Sequence, residues 1–194
     1  MKNTIFFLLF IMSASVFSQK EKVTIFFNDG VSIEGYGFIK KNKVKFRISL
    51  DEKGEFWDYN DIQKVEYQTF HGVRTFEYVQ LNGFKKPVIV EIQVRGIVSL
   101  YSIRDTFWVS HSSFSENKPG HSYKKEVITY YLLKNEDDLQ TCINCGVFNK
   151  WKKNTLNFLP NCPGLTKKIK SNEFRESDIK EIVEYYNDFC TEID

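Results

Sequence analysis

Lys43-Val44-Lys45-Phe46-Arg47-Ile48 sets three cations against three apolar residues in strict alternation. Side chains of a strand point to opposite faces with period two, so this stretch predicts a half-exposed β-strand with Val44, Phe46 and Ile48 facing inward. Turn signals bound it on both sides, Lys40-Lys41-Asn42 before and Asp51-Glu52-Lys53-Gly54 after. Upstream, residues 23–27 are β-branched and aromatic, and Asn28-Asp29-Gly30 marks a tight hairpin turn. Val31, Ile33 and Ile39 then share one face, with Gly35 and Gly37 between them. Glycine at those two places predicts a bend, a bulge or a close backbone approach. Downstream, Phe56-Trp57 and residues 62–67 supply two more strands, and residues 73–81 another, closed by Asn82-Gly83. Residues 88–94 and 97–103 flank Arg95-Gly96, which reads as a two-residue hairpin loop. A short strand over 106–109, a polar loop over 112–120 and a long β-leaning run over 122–133 follow. About ten short strands at this spacing predict an α+β, mainly β chain: an antiparallel β-barrel or sandwich, followed by a short helical C-terminal segment.

Three regions follow from this reading: 1–18, a β-rich region over 19–135, and a helical, cysteine-containing segment over 136–194 packed on it. Within the second, residues 22–68 resemble a small, strongly bent barrel of the SH3 or Sm type. Asp29-Gly30, Gly35-Tyr36-Gly37 and the five-strand rhythm carry the resemblance. It implies a fold for that quarter of the chain. The RNA binding that an Sm-type reading implies runs against the export signal described below.

The character changes after Leu133. Lys134-Asn135-Glu136-Asp137-Asp138 is polar and suits a helix start, while Pro160 and Pro163-Gly164 limit residues 154–170 to short helices. The last helix is the clearest. Ser177 suits the N-cap, Asp178 and Glu181 suit the first turn, and Ile179, Ile182, Val183, Tyr186 and Cys190 recur at helical spacing. Residues 139–172 hold Lys150, Lys152, Lys153, Lys167, Lys168 and Lys170 and no acid, whereas 173–194 hold eight acids and two bases. The two blocks either complement each other in the fold or leave a basic patch for an anionic partner.

The N-terminus predicts export. Lys2 precedes an unbroken apolar run over residues 5–12, and small residues follow at Ser13, Ala14, Ser15 and Ser18. This is the pattern of a secretory signal peptide, with cleavage after Ser18 or, alternatively, Ser15. The apolar run falls well short of the ~20 residues a spanning helix needs, so the exported chain is expected to be soluble and not membrane-spanning. Removing 1–18 takes away Lys2 and no acid, which lowers the formal charge from +2 to +1. A balance so near zero argues against nucleic acid as a partner. The style of the signal suggests a bacterial protein of the periplasm or the secreted space.

Export places the four cysteines in an oxidising compartment, where an even count favours disulfides. Four cysteines allow three pairings. Cys162 with Cys190 is the favoured one, because it ties the proline-rich segment to the last helix. Cys142-Ile143-Asn144-Cys145 then forms a small ring or stays reduced. A thioredoxin-like dithiol needs its pair to open a helix after a strand, and no βαβ pattern is visible here. A four-cysteine zinc site needs its second pair close in sequence, and Cys162 and Cys190 stand 28 positions apart. His71, His111 and His121 form no His-Glu-X-X-His, and no Gly-X-Ser-X-Gly elbow or phosphate-binding glycine loop occurs. His111 and His121 can meet only if they flank one hairpin loop; solvated loop histidines are the plainer reading. No metal site and no cofactor are expected.

Aromatic residues make up 16% of the chain, and most should be core or cross-strand partners. Phe56-Trp57 and Phe107-Trp108 put neighbouring rings on opposite faces of a strand, so one ring of each pair is a candidate for the surface. Trp57 and Trp108 are the expected exposed aromatic binding residues, able to stack on sugar or grip a protein. The chain therefore reads as an exported, non-enzymatic binding or scaffold protein with a protein or glycan partner in the envelope or outside the cell. The alternative is a hydrolase of envelope or extracellular polymers, using scattered carboxylates or His111. A thiol–disulfide protein using Cys142 and Cys145 comes third.

Overall fold

A computed structural model describes residues 21–111, 121–134, 139–146 and 150–190. The expected signal peptide, the loop over 112–120 and most of the polar stretch after Lys134 lie outside the described residues. Ten strands form one antiparallel sheet: β1 (Lys22–Phe27), β2 (Ser32–Lys40), β3 (Lys43–Arg47), β4 (Glu55–Trp57), β5 (Ile62–Thr69), β6 (Gly72–Val79), β7 (Val88–Val94), β8 (Val98–His111), β9 (His121–Lys134) and β10 (Leu139–Cys142). The order across the sheet is β10-β9-β8-β7-β6-β5-β1-β2-β3-β4, so the sheet is not closed. Three short helices follow: α1 (Trp151–Phe158), α2 (Pro163–Lys170) and α3 (Ile179–Phe189). Among the described residues, no helix is long and apolar enough to cross a membrane.

The N-terminal end of the sheet curls on itself. Val23 and Ile25 of β1, Val44 and Phe46 of β3, Val65 and Tyr67 of β5 and Ile89 of β7 share one buried core, although five strand-to-strand steps separate β3 from β7 in the sheet. The glycines of β2 permit the bend. A Cβ on Gly35 would stand 2.4 Å from the Arg47 carbonyl oxygen and 2.6 Å from Cζ of Phe46. The β2–β3 turn pins the curl in place. Lys41 and Asn42 both take positive φ, which Asn tolerates best. That conformation turns the Asn42 amide onto β7, where Nδ2 donates to the Pro87 carbonyl at 2.9 Å and Oδ1 accepts from Ile89 N–H at 2.7 Å. Tyr78 adds a hydroxyl bond to the Asn42 carbonyl at 3.0 Å.

The helices cover the other end. Val94, Val98, Leu100 and Leu132 of β7–β9 are buried beneath Leu165 and Ile169 of α2 and Ile179, Ile182, Val183 and Tyr186 of α3. Pro163 opens α2 at its first turn, where a missing N–H costs nothing. The α3 face expected from spacing is the buried one. Two amide side chains fasten the chain to strand backbone. Asn187 accepts from Val98 N–H at 3.0 Å and donates to the Val98 carbonyl at 2.8 Å. Asn144 accepts from Tyr130 N–H at 3.0 Å and donates to the Ile128 carbonyl at 2.9 Å.

Several expectations are corrected. Ile48 does not face inward: β3 ends at Arg47, whose Nη1 bridges to the Leu50 carbonyl at 2.7 Å, and Ile48 is left exposed on the resulting turn. Residues 106–109 are no separate strand but part of the 14-residue β8, held in line by continuous pairing with β9. The β7–β8 loop has three residues, Arg95-Gly96-Ile97, because a register shift between Ile92 and Val94 absorbs one position. The helix start expected over 134–138 lies mostly outside the described residues; the first described stretch after it, Leu139–Cys142, is a strand paired with the edge of β9. Ser177 is not the N-cap of α3. A 3-10 turn over Glu176–Asp178 leads into the helix, Asp178 accepts from Arg175 N–H at 2.8 Å, and the Ser177 hydroxyl donates to Asp178 at 2.7 Å.

Candidate functional site

The curl leaves a groove between β2 and the strands of the sheet's middle. One part of it is a hollow of about 590 Å³. Phe38 of β2 and Phe84 of the β6–β7 loop line it and are 50% and 42% exposed. Tyr67, Arg74, Glu91 and Ser102 come from four neighbouring strands, β5 to β8. The registers Tyr67↔Arg74, Phe76↔Glu91 and Glu91↔Ser102 set them on one face of the sheet. A second hollow of about 670 Å³ lies along β2 and β3, and Glu21 and Phe38 line both.

The polar groups are fixed by pairing. Arg74 grips Glu91 at two points, Nε to Oε1 at 2.7 Å and Nη2 to Oε2 at 2.9 Å. This fork geometry defines the orientation of both groups. Glu91 is only 7% exposed, and the pair with Glu91 raises the affinity of Arg74 for its proton. Arg74 also lies over the Phe76 ring at 5.2 Å. Ser102 Oγ accepts from Gln93 Nε2 at 2.9 Å.

Tyr67 is the exception. It is 4% exposed, its hydroxyl hydrogen finds no acceptor among the described residues, and the Ile39 backbone N–H faces its oxygen without reaching hydrogen-bond geometry. Burial, then the charge of Glu21, pushes the phenol well above its ordinary pKa, with the Ile39 backbone acting in the opposite sense. The group therefore stays protonated, a donor held in an apolar surround. Leaving such a group unpaired costs roughly 1–3 kcal/mol.

The residues singled out from sequence lie elsewhere. Trp57 is turned inward, its ring meeting Phe27 edge-on at 5.1 Å, and its neighbour Phe56 takes the surface. Trp108 is 70% exposed. It stands on the outer half of the β8–β9 hairpin, where β8 has already left β7 at Ser102 and β9 has not yet met β10 at Tyr131. This two-stranded arm also exposes Phe107 and Tyr123. Its backbone register sets His111 opposite His121.

Cys142 and Cys145 stand at disulfide distance, Cα–Cα 5.6 Å, and so do Cys162 and Cys190, 5.5 Å. The first pair ends a strand, with Ile143 buried between its members. The second lies inside the helical core. Lys150, Lys152, Lys153, Lys167, Lys168 and Lys170 belong to α1, α2 and their flanks, away from the groove. Lys168 pairs with Glu173, which joins the basic block to the acidic one, and Lys152 bonds Asn172. Among the described residues, no group of three His, Cys, Asp or Glu side chains could hold a metal ion.

Sequence reasoning passed over Tyr67, Arg74 and Glu91. Glu91 did carry a signal: it is the lone acid in the apolar strand Val-Ile-Val-Glu-Ile-Gln-Val, and a buried charge needs a partner. No protein-family model, curated protein or solved structure matches this chain.

Proposed function

We propose that the protein is exported and acts as a non-enzymatic binding protein of the cell envelope or secreted space, with the groove as its ligand site. The observation that carries this reading is the Tyr67 hydroxyl, a buried donor without an acceptor among the described residues, on a side chain that lines a hollow of ligand size. Export is supported by the N-terminal apolar run and by the two cysteine pairs. Residues 22–68 serve on this reading as a small bent barrel, and the core shared by β1, β3 and β5 supports that. The hydrolase alternative draws little support from Glu91, because Arg74 engages both of its oxygens.

Two measurements on the native chain test this. Mass analysis of the protein recovered outside the cytoplasm should find residues 1–18 removed and two disulfides present. A full-length, reduced protein confined to the cytoplasm contradicts export. Native mass spectrometry after incubation with an envelope extract should find a retained guest that Tyr67→Phe binds more weakly. A guest equally well retained by Tyr67→Phe contradicts the groove.

A further inference from the structure

We propose that Cys142 and Cys145 form a reversible thiol–disulfide exchange site, which accepts electrons from a dithiol and can pass them on. It is a second site, and it does not depend on what the groove binds.

The two cysteine pairs differ first in access. Cys162 and Cys190 are 7% and 9% exposed and lie inside the helical core. Cys145 is exposed and Cys142 half-buried, where β10 ends. Exchange proceeds by attack of a thiolate on a disulfide sulfur, so access decides which pair reacts.

The exposed pair is also held in place without its sulfurs. Ile143 is fully buried in the helical core, and its N–H donates to the Tyr130 carbonyl at 2.9 Å. Asn144 bonds Tyr130 N–H and the Ile128 carbonyl. From α1, Asn154 Nδ2 donates to the Cys142 carbonyl at 3.2 Å and to the Ile143 carbonyl at 2.9 Å. These bonds position residues 142–144 whether the sulfurs are joined or free. A reduced pair therefore stays within closing distance, and the fold survives its reduction.

A donor waits at one sulfur. The Tyr131 hydroxyl stands 3.9 Å from Cys145 Sγ. A disulfide sulfur carries no hydrogen, so the phenol donates. Burial, then the charge of Asp105, keeps it protonated. The same donor stabilises a thiolate at Cys145.

The first thiolate of a dithiol attacks Cys145 Sγ. The Cys142–Cys145 bond breaks, a mixed disulfide forms on Cys145, and Cys142 leaves as a thiolate that takes up a proton. The second thiol of the same molecule loses its proton and attacks its own sulfur in the mixed disulfide. Cys145 leaves as a thiolate and is protonated in turn. The dithiol is oxidised to a disulfide and the protein pair is reduced, with two electrons and two protons transferred. In reverse, the reduced pair opens a disulfide in another molecule.

The test exposes the full mature protein, both pairs oxidised, to dithiothreitol at neutral pH. Free thiols are trapped by alkylation and located by mass mapping. Cys142 and Cys145 are expected to open together, about a hundredfold faster than Cys162 and Cys190, which must wait for the core to open. The near-UV circular dichroism should persist, and glutathione disulfide should reclose the pair. In the reduced protein, Tyr131→Phe should slow alkylation of Cys145 about threefold at neutral pH, the value of a weak hydrogen bond to the thiolate. It should leave the rate at high pH unchanged, where the thiol is fully ionised. If the pair resists dithiothreitol until the chain unfolds, or opens no sooner than Cys162 and Cys190, it is a structural tie and the proposal is wrong. Loss of the near-UV signal on reduction, or failure to reclose, also overturns it. An unchanged pH profile in Tyr131→Phe removes the role given to the phenol.

Discussion

Replacing Cys162 and Cys190 together with alanine is expected to lower the unfolding free energy by roughly 3.5 kcal/mol. The two residues are 28 positions apart and their Cα atoms stand 5.5 Å apart. Linking them closes a loop that contains the whole of α2 and α3. The unfolded chain loses the freedom of that loop, and the entropy lost grows with the logarithm of its length. Both sulfurs also lie within the helical core, so their removal leaves a small void among Leu165, Ile182 and Tyr186. Cys142 and Cys145 close a far shorter loop, with a separation of only three. Their double replacement should therefore cost less. Urea unfolding of the native protein and the two double variants measures the difference. A larger loss from the Cys142/Cys145 variant would show that the short ring, not the long tie, fastens this end.

Asn187→Ala is expected to cost about 2–4 kcal/mol, nearly as much from one side chain. Val98 is fully buried, and its N–H and carbonyl both pair with the Asn187 amide. Alanine would leave both backbone groups dry and unpaired at the point where β8 begins. Gly96 supplies a direct check of that geometry. A Cβ there would stand 2.3 Å from Nδ2 and 2.6 Å from Cγ of Asn187. The amide is held at both ends and cannot retreat without breaking its bonds to Val98. Gly96→Ala should thus destabilise by a comparable amount. The combined variant should cost little more than Asn187→Ala alone, because the clashing amide is gone. Additive losses in the cycle would mean that the glycine matters for another reason.

Much of the sheet was legible along the chain. Alternation at Val44 and Phe46, the Asn28-Asp29-Gly30 turn and the apolar face of α3 are local patterns, and the structure keeps them. The cysteine pairing was not fixed by the sequence, which allowed three; the favoured one, Cys162 with Cys190, is the pair that stands at disulfide distance. What was not legible depends on partners far away. Which ring of Phe56-Trp57 faces inward is settled by the register Val44↔Trp57, which no local pattern specifies. Leu139–Cys142 becomes a strand because β9 offers it an edge, against a weak intrinsic pattern. Asn42, Asn144 and Asn187 look like turn and helix-surface residues in the sequence, yet each completes the hydrogen bonding of a distant strand. The groove belongs to the same class. Tyr67, Arg74, Glu91 and Ser102 meet only because four strands stack in register, and Phe38 reaches them only because the sheet curls.

A group kept for a ligand should be dispensable for folding, and this makes the central claim testable without any ligand. The measurement is the unfolding free energy of Tyr67→Phe against the native protein, by urea titration at neutral pH. The change removes one buried hydroxyl and keeps the ring that packs edge-on against Phe76 at 5.2 Å. The hydroxyl hydrogen has no acceptor among the described residues, and the Ile39 backbone N–H that faces its oxygen does not reach hydrogen-bond geometry, so the hydroxyl contributes mainly its desolvation cost. Phenylalanine should therefore leave stability unchanged or raise it by up to about 1 kcal/mol. A loss of more than about 1 kcal/mol would reveal a structural partner for the hydroxyl and contradict its reservation for a ligand.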